Sequence, residues 1–551
     1  MNQRDSRTMG ALSRRAFLGT SATSVASLAL GRTRGEPDLD WLITGATLLD
    51  GTGQARFVAD LGLAGDAIRA IGKIAPERAR RAIDGRGLAL APGFIDLHTH
   101  SDGSILTCPT AESRVLQGVT TEITGNCGSS EVPSAAEPKS FESYFARLRE
   151  LTLSVNHGAL VGHGTLRELA GAVKQGAPTA TELQRMCAEL ERALDEGALG
   201  FSTGLEYTPG RFADGAEILE LAKLAARRGA LYATHMRNEV RGVVDSIDES
   251  LAVAERSGVR LQISHLKAAG KPSWPLAATC LERLERARAR GLDVFADAYP
   301  YTAYHTGLTI YLPPDVAEGG RSAMLERLRD PATRERLLRT LPEAVGDDPG
   351  GYAQVVLSAI GSAEHQRFVG QDMAAIASTW GVAPAEAHLR LIEAGGGTAS
   401  YIGHAMSEEN VATTLAHPLV LVASDGSSQP LLEPPASERG ARPHPRSFGT
   451  FPRVLARYVR EQQRLTLEDA VRKMTALPAD RAGLSDRGRL GLGKKADLVL
   501  FDPQTIADTA TFDRPRSAPL GIRAVFVNGV LVVESGRHTG ARPGRVLRSG
   551  A

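Results

Sequence analysis

Cysteine is scarce in this chain: Cys108, Cys127, Cys187 and Cys280 are the four in 551 residues. A chain this long with so few is not a disulfide scaffold, and no two stand in the Cys-x-x-Cys spacing of a cysteine zinc module. An excess of either charge is also missing. Lys and Arg number 64 against 63 Asp and Glu, a net charge of +1, so nothing selects a nucleic acid or an acidic membrane as partner. The uncharged stretch Gly19 to Leu30 is too short and too weakly apolar for a transmembrane helix. Internal repeats beyond strand–helix units and low-complexity runs are absent. What is there is 42% hydrophobic and 23% charged, an ordinary globular composition. The length suits two to four domains, or one α/β barrel with additions.

Ser13-Arg14-Arg15-Ala16-Phe17-Leu18 precedes that small-apolar stretch and looks like a twin-arginine export signal, with Ala29-Leu30-Gly31 as cleavage site. It predicts export of the folded protein to the periplasm or beyond. That route suits a metalloenzyme, because metal binding is coupled to folding. Residues 1–36 are set apart as signal and linker.

The segment 37–90 reads as short strands separated by Gly and Asp turns, a small antiparallel unit. A matching stretch, 483–551, holds Ala496 to Phe501 and two apolar runs around Asn528-Gly529, a strong hairpin signal. Neither end buries much alone, so the two are expected to pack as one β-sandwich. Between them, over 91–312 and 401–482, strands alternate with helices, which argues for a parallel sheet and a (β/α)8 barrel. Thr179 with Glu182 forms a capping box for a helix carrying Leu183, Met186, Leu190 and Leu194. Asp214 caps the next helix. Residues 313–400 break the rhythm and read as an α/β insertion over the barrel mouth.

Candidate ligands recur at strand ends. Pro92-Gly93-Phe94-Ile95-Asp96-Leu97 delivers His98 and His100, which lie on one face of an extended strand and can converge on one ion. Cys127 follows in Gly125-Asn126-Cys127-Gly128, then His235, His265 and Asp425. Imidazole, thiolate and carboxylate are the ligands zinc uses. Residues at the C-terminal ends of barrel strands line the active site. Each histidine alone is more often a hydrogen-bonded core residue than a ligand; together they form a site.

These stretches, with Gly162-His163-Gly164-Thr165-Leu166-Arg167, Ser202-Thr203-Gly204-Leu205, Thr234-His235-Met236-Arg237, Asp425-Gly426 and His444-Pro445-Arg446, carry a resemblance. The chain resembles the amidohydrolase superfamily, and within it the N-acyl-D-amino-acid deacylases, from about residue 40 to 535. Where the superfamily commonly uses a carboxylated lysine, these deacylases use a cysteine. The resemblance implies one tightly held zinc on Cys127, His235 and His265, and a second, weaker metal position on His98, His100 and Asp425. It makes Asp425 the catalytic base, and Tyr207, Lys267, Tyr299 and Arg446 the substrate contacts. Tyr304-His305 departs from the small hydroxyl residues usual there, which leaves the substrate side chain open.

The implied partner is a small molecule, with no nucleic acid and no membrane beyond export; the oligomeric state is open. The expected reaction is zinc-dependent cleavage of N-acyl-D-amino acids. A dipeptidase for D-residues or a cyclic-amide hydrolase such as a hydantoinase shares the scissile bond, and a non-catalytic scaffold would be expected to have lost ligands.

Overall fold

The computed structural model describes residues 37–432 and 440–550. The export signal lies outside the described residues. Among those described, no helix is long and apolar enough to cross a membrane.

Both chain ends build one nine-stranded sheet. The first strand, Leu39–Leu48, carries a bulge between Ile43 and Ala46. Its first half pairs with Ala79–Asp84 and its end with Ala89–Pro92, which in turn pairs with Leu498–Phe501 from the far end. A bulge bends its strand and increases twist. The sheet rolls around Leu48, Leu61, Leu63, Leu90, Leu498 and Phe526. Trp41 and Phe526, on strands that are not neighbours, meet ring to ring at 5.3 Å. The expected sandwich of two sheets is therefore one hydrogen-bonded sheet curled on itself. Asn528 and Gly529 adopt φ +47° and +80°, as a type I′ hairpin turn requires.

Pro92-Gly93 carries the chain from this sheet into the parallel strands. These are β1 (Phe94–Asp96), β2 (Val119–Thr124), β3 (Asn156–Ala159), β4 (Val161–Gly162), β5 (Gly200–Gly204), β6 (Leu231–His235), β7 (Arg260–Ile263), β8 (Val294–Ala298) and β9 (Val420–Val422). They form a three-stranded sheet, β1-β2-β3, and a six-stranded sheet, β9-β8-β7-β6-β5-β4. The single closed sheet expected from the sequence is not seen, because several strands are too short for a continuous ladder. Backbone bonds bridge the edges instead: Asp425 N donates to His98 O at 2.9 Å, and His100 N to Gly426 O at 2.8 Å.

The intervening helices follow their sequence signals. Thr179 and Glu182 form the reciprocal capping box of Ala180–Asp195, whose Met186, Leu190 and Leu194 are buried. Asp214 accepts from Glu217 N at 2.9 Å and starts Gly215–Arg227. The insertion is larger than expected. Ala303–Gly307 pairs antiparallel with Ser400–His404, and Val355–Ala359 with the latter. The unit thus runs from 303 to 404, because its outer strands close its base.

Candidate metal centre and active site

The strand ends converge. His98 and His100 follow β1, Cys127 follows β2, His235 ends β6, His265 follows β7 and Asp425 follows β9. All are buried except His100, whose side chain is 33% exposed. Cys127, His265 and Asp425 adopt φ of +52°, +33° and +52°, the left-handed region. Such conformations cost about 1–3 kcal/mol each and cluster at functional sites. Close backbone packing sustains the Cys127 turn: a Cβ on Gly204 would lie 2.0 Å from the Cys127 carbonyl oxygen.

Cys127 Sγ lies 3.3 Å from His98 Nε2 and 3.4 Å from His265 Nε2. Sulfur and nitrogen ligands of a tetrahedral zinc stand roughly 3.5 Å apart, so these donors fit the ion. His265 Nε2 lies 2.9 Å from His235 Nδ1. Asp425 Oδ1 is 2.9 Å from His100 Nε2 and 3.5 Å from His98 Nε2. Donors of His98, Cys127, His265 and Asp425 all lie within 4.8 Å of one another, as do those of His235, Glu239 and His265. His265 is common to both groups, and Cys127 lies between His98 and His265, one from each expected metal position.

The electrostatics call for a cation. Burial opposes the Cys127 thiolate, yet His98 and His265 outweigh it and hold the thiol well below its usual range. Burial opposes protonation of His235, yet Glu239 and Cys127 raise it to about 10. His100 rises to about 9 against burial, through Asp425 and Cys127. Convergent anions gather protons where a divalent ion would supply the charge.

Three carboxylates orient the ligands from behind. Asp297 Oδ1 is 3.1 Å from His98 Nδ1 and accepts from His265 N at 2.8 Å. Glu239 Oε1 lies 3.0 Å from His265 Nδ1, and Glu206 Oε2 3.0 Å from His235 Nε2. Such partners fix the tautomer and basicity of a ligating imidazole.

A cavity of about 380 Å³ opens over the centre, lined by His100, Cys127, Tyr207, His305, Asp425 and Arg446 among others. Arg446, on the first turn of helix Arg446–Arg453, places Nη1 2.7 Å from Asp425 Oδ2 and stacks 5.0 Å over the Tyr299 ring. Burial would raise Asp425, but Arg446, His98 and His100 hold it well below the ordinary carboxylate range. Lys267 and Tyr299 line two small cavities behind the main one. Lys267 Nζ is held 2.5 Å from Glu239, and the buried Tyr299 hydroxyl has no hydrogen-bond partner among the described residues.

The sequence profile of the amidohydrolase family matches residues 81–533. The chain belongs to the amidohydrolase family. It is 38% identical to an N-acyl-D-glutamate deacylase of Alcaligenes xylosoxydans xylosoxydans over 93% of this chain and 97% of the other. It is 37% identical to a D-aminoacylase of the same organism, over 92% and 97%. The crystal structure of N-acyl-D-glutamate deacylase from Bordetella bronchiseptica, complexed with zinc and a phosphonate mimic of the tetrahedral intermediate, superposes with a TM-score of 0.79 at 37% identity. It covers 93% of this chain and 100% of that one.

Within this amidohydrolase, the structure brings together all six expected metal residues, with Tyr207 and Arg446 facing the cavity and Lys267 and Tyr299 behind it. The loop that departs from the family pattern divides its two residues. Tyr304 turns away, donating to Asp348 at 2.8 Å, while His305 lines the cavity. Burial and the nearby Arg446 push His305 down to about 3, so it is neutral there. The sequence reading missed Glu206, Glu239 and Asp297. Two of them carry a local signal: Glu239 stands four residues after His235, and Asp297 ends the apolar run Val294–Ala296.

Proposed function

We propose that this amidohydrolase cleaves the amide bond of N-acyl-D-amino acids, releasing a carboxylate and a free D-amino acid. The observation that carries the reading is a cluster of zinc-type ligands, Cys127 among them, facing a cavity with an Asp425–Arg446 pair. The similarity to named deacylases supports it. Cys127, His235 and His265 would hold one zinc tightly, and His98, His100 and Asp425 a second, weaker one. Zinc bound there supplies water that ionises near neutral pH and a Lewis acid for the scissile carbonyl.

The protein's own groups do the rest. Asp425, ionised because Arg446 and the histidines offset its burial, accepts the proton of the attacking water. It then passes that proton to the leaving amide nitrogen. Arg446 offers a planar fork that matches the substrate α-carboxylate, which would replace Asp425 as its partner. Tyr207, Lys267 and Tyr299 line, together with Asp425, a small cavity behind the main one, and the Tyr299 hydroxyl, unpartnered among the described residues, is free to donate. His305 and Thr306 bring the insertion to the cavity wall, which supports its role as a lid. The Arg14-Arg15 signal supports export to the periplasm or beyond.

The test is a panel of N-acetyl-D-amino acids, their L-enantiomers, L-D dipeptides and hydantoins, with zinc-loaded protein. Turnover confined to the N-acyl-D compounds is expected. Faster turnover of the dipeptides or hydantoins would move the activity to the related bond.

A further inference from the structure

Arg114 plays no part in the chemistry above and never reaches the cavity. It is 0% exposed, on the short helix Glu112–Val115 before β2. Its guanidinium nevertheless binds three separate segments. Nη1 donates to Asp96 Oδ2 at 2.8 Å and to Ser424 Oγ at 2.7 Å. Nη2 donates to the carbonyl oxygens of Ser427 at 3.0 Å and Ser447 at 2.8 Å. Asp96 completes the frame, accepting from Ser424 N at 2.9 Å and from Ser424 Oγ at 2.5 Å. Ser424 Oγ also accepts from Gly426 N at 3.0 Å, so its one donor and two acceptor sites are all used.

Those partners flank the two groups that matter. Ser424 and Ser427 bracket Asp425, which sits at φ +52°. Ser447 follows Arg446. A non-glycine residue persists in that backbone region only where its surroundings over-determine it. The Arg114 guanidinium does so here beside the backbone bonds from Asp425 N to His98 O and from His100 N to Gly426 O, and together with Gln117, whose Nε2 donates to Ser447 O at 2.9 Å, it holds the start of the Arg446 helix. Gly426 belongs to the frame as well: a Cβ there would lie 2.8 Å from Arg114 Nη2 and 2.9 Å from Ser447 Cα.

We propose that Arg114, neutralised by Asp96, is a positioning residue that sets the catalytic base and the carboxylate-binding arginine at one fixed separation. The inference rests on the roles given to Asp425 and Arg446. A buried ion pair is weak evidence for stability; this one fixes the geometry of the site.

The test uses Arg114→Lys and Ser424→Ala in the full chain, measuring thermal unfolding, zinc per chain, kcat and KM on one N-acetyl-D-amino acid. Both variants should hold zinc as the unaltered protein does. Their kcat/KM should fall by about tenfold to a hundredfold, through lower kcat and higher KM together, the scale expected when reacting groups are misplaced by about an ångström. In an Arg446→Met background the KM rise caused by Arg114→Lys should vanish, because the group it places is gone. If Arg114→Lys does not fold, Ser424→Ala decides. Unaltered kinetics in folded Ser424→Ala, or a KM rise that persists in the Arg446→Met background, overturns the inference alone. Near-normal turnover in Asp425→Asn overturns the base assignment and this inference with it.

Discussion

Asp425 does several things at once. It faces Arg446 at 2.7 Å and His100 at 2.9 Å, and its backbone lies in a strained region. Asparagine at this position keeps the shape and loses the proton acceptor. Asp425→Asn should lower kcat by at least about a hundredfold, in line with the loss of a general base, while circular dichroism stays unchanged. A kcat within a few-fold of the parent would contradict the assignment. Arg446→Lys removes the fork and keeps the charge. KM should rise several-fold with a smaller change in kcat, read from steady-state kinetics, because Arg446 binds the part of the substrate that does not react.

At the scale of elements, the helix signals in the sequence were easy to read because they are local. Thr179 and Glu182 are three residues apart, and Asn528-Gly529 is a dipeptide. The insertion boundary was harder, since it depends on Ala303–Gly307 finding Ser400–His404 almost a hundred residues on. The insertion also carries a titratable group that shares a small cavity with Glu206 and Glu239 of the barrel. Asp348 accepts from Tyr304 at 2.8 Å, and burial pushes its carboxyl up to about 7, with Glu206 and Glu239 adding to the rise. A carboxyl raised in the folded state stabilises it fully below its unfolded value, and that stability declines as pH climbs toward the folded value. Hydrogen exchange in 303–404 should therefore be slower near pH 5 than near pH 8, after correction for intrinsic rates. In Asp348→Asn the difference should shrink. Equal protection at both pH values in the unaltered chain would contradict this coupling.

For the whole molecule, the strand–helix rhythm and the six metal candidates were legible because each ligand ends an apolar run. The groups that orient them were not. Asp297 meets His98 across 199 residues of chain, and Arg114 meets Ser447 across 333. No spacing rule links positions that only the closing of parallel strands brings together. The terminal sheet shows the same limit, since alternation marks strands without saying whether one sheet or two will hold them. What unites these parts is a centre where Cys127 stands between two sets of histidines. The most direct measurement is zinc per chain in purified Cys127→Ala and His98→Ala. Cys127→Ala should lose its zinc, and His98→Ala should keep most of it. Equal loss in the two variants, or retention in Cys127→Ala, would contradict a centre anchored on the cysteine.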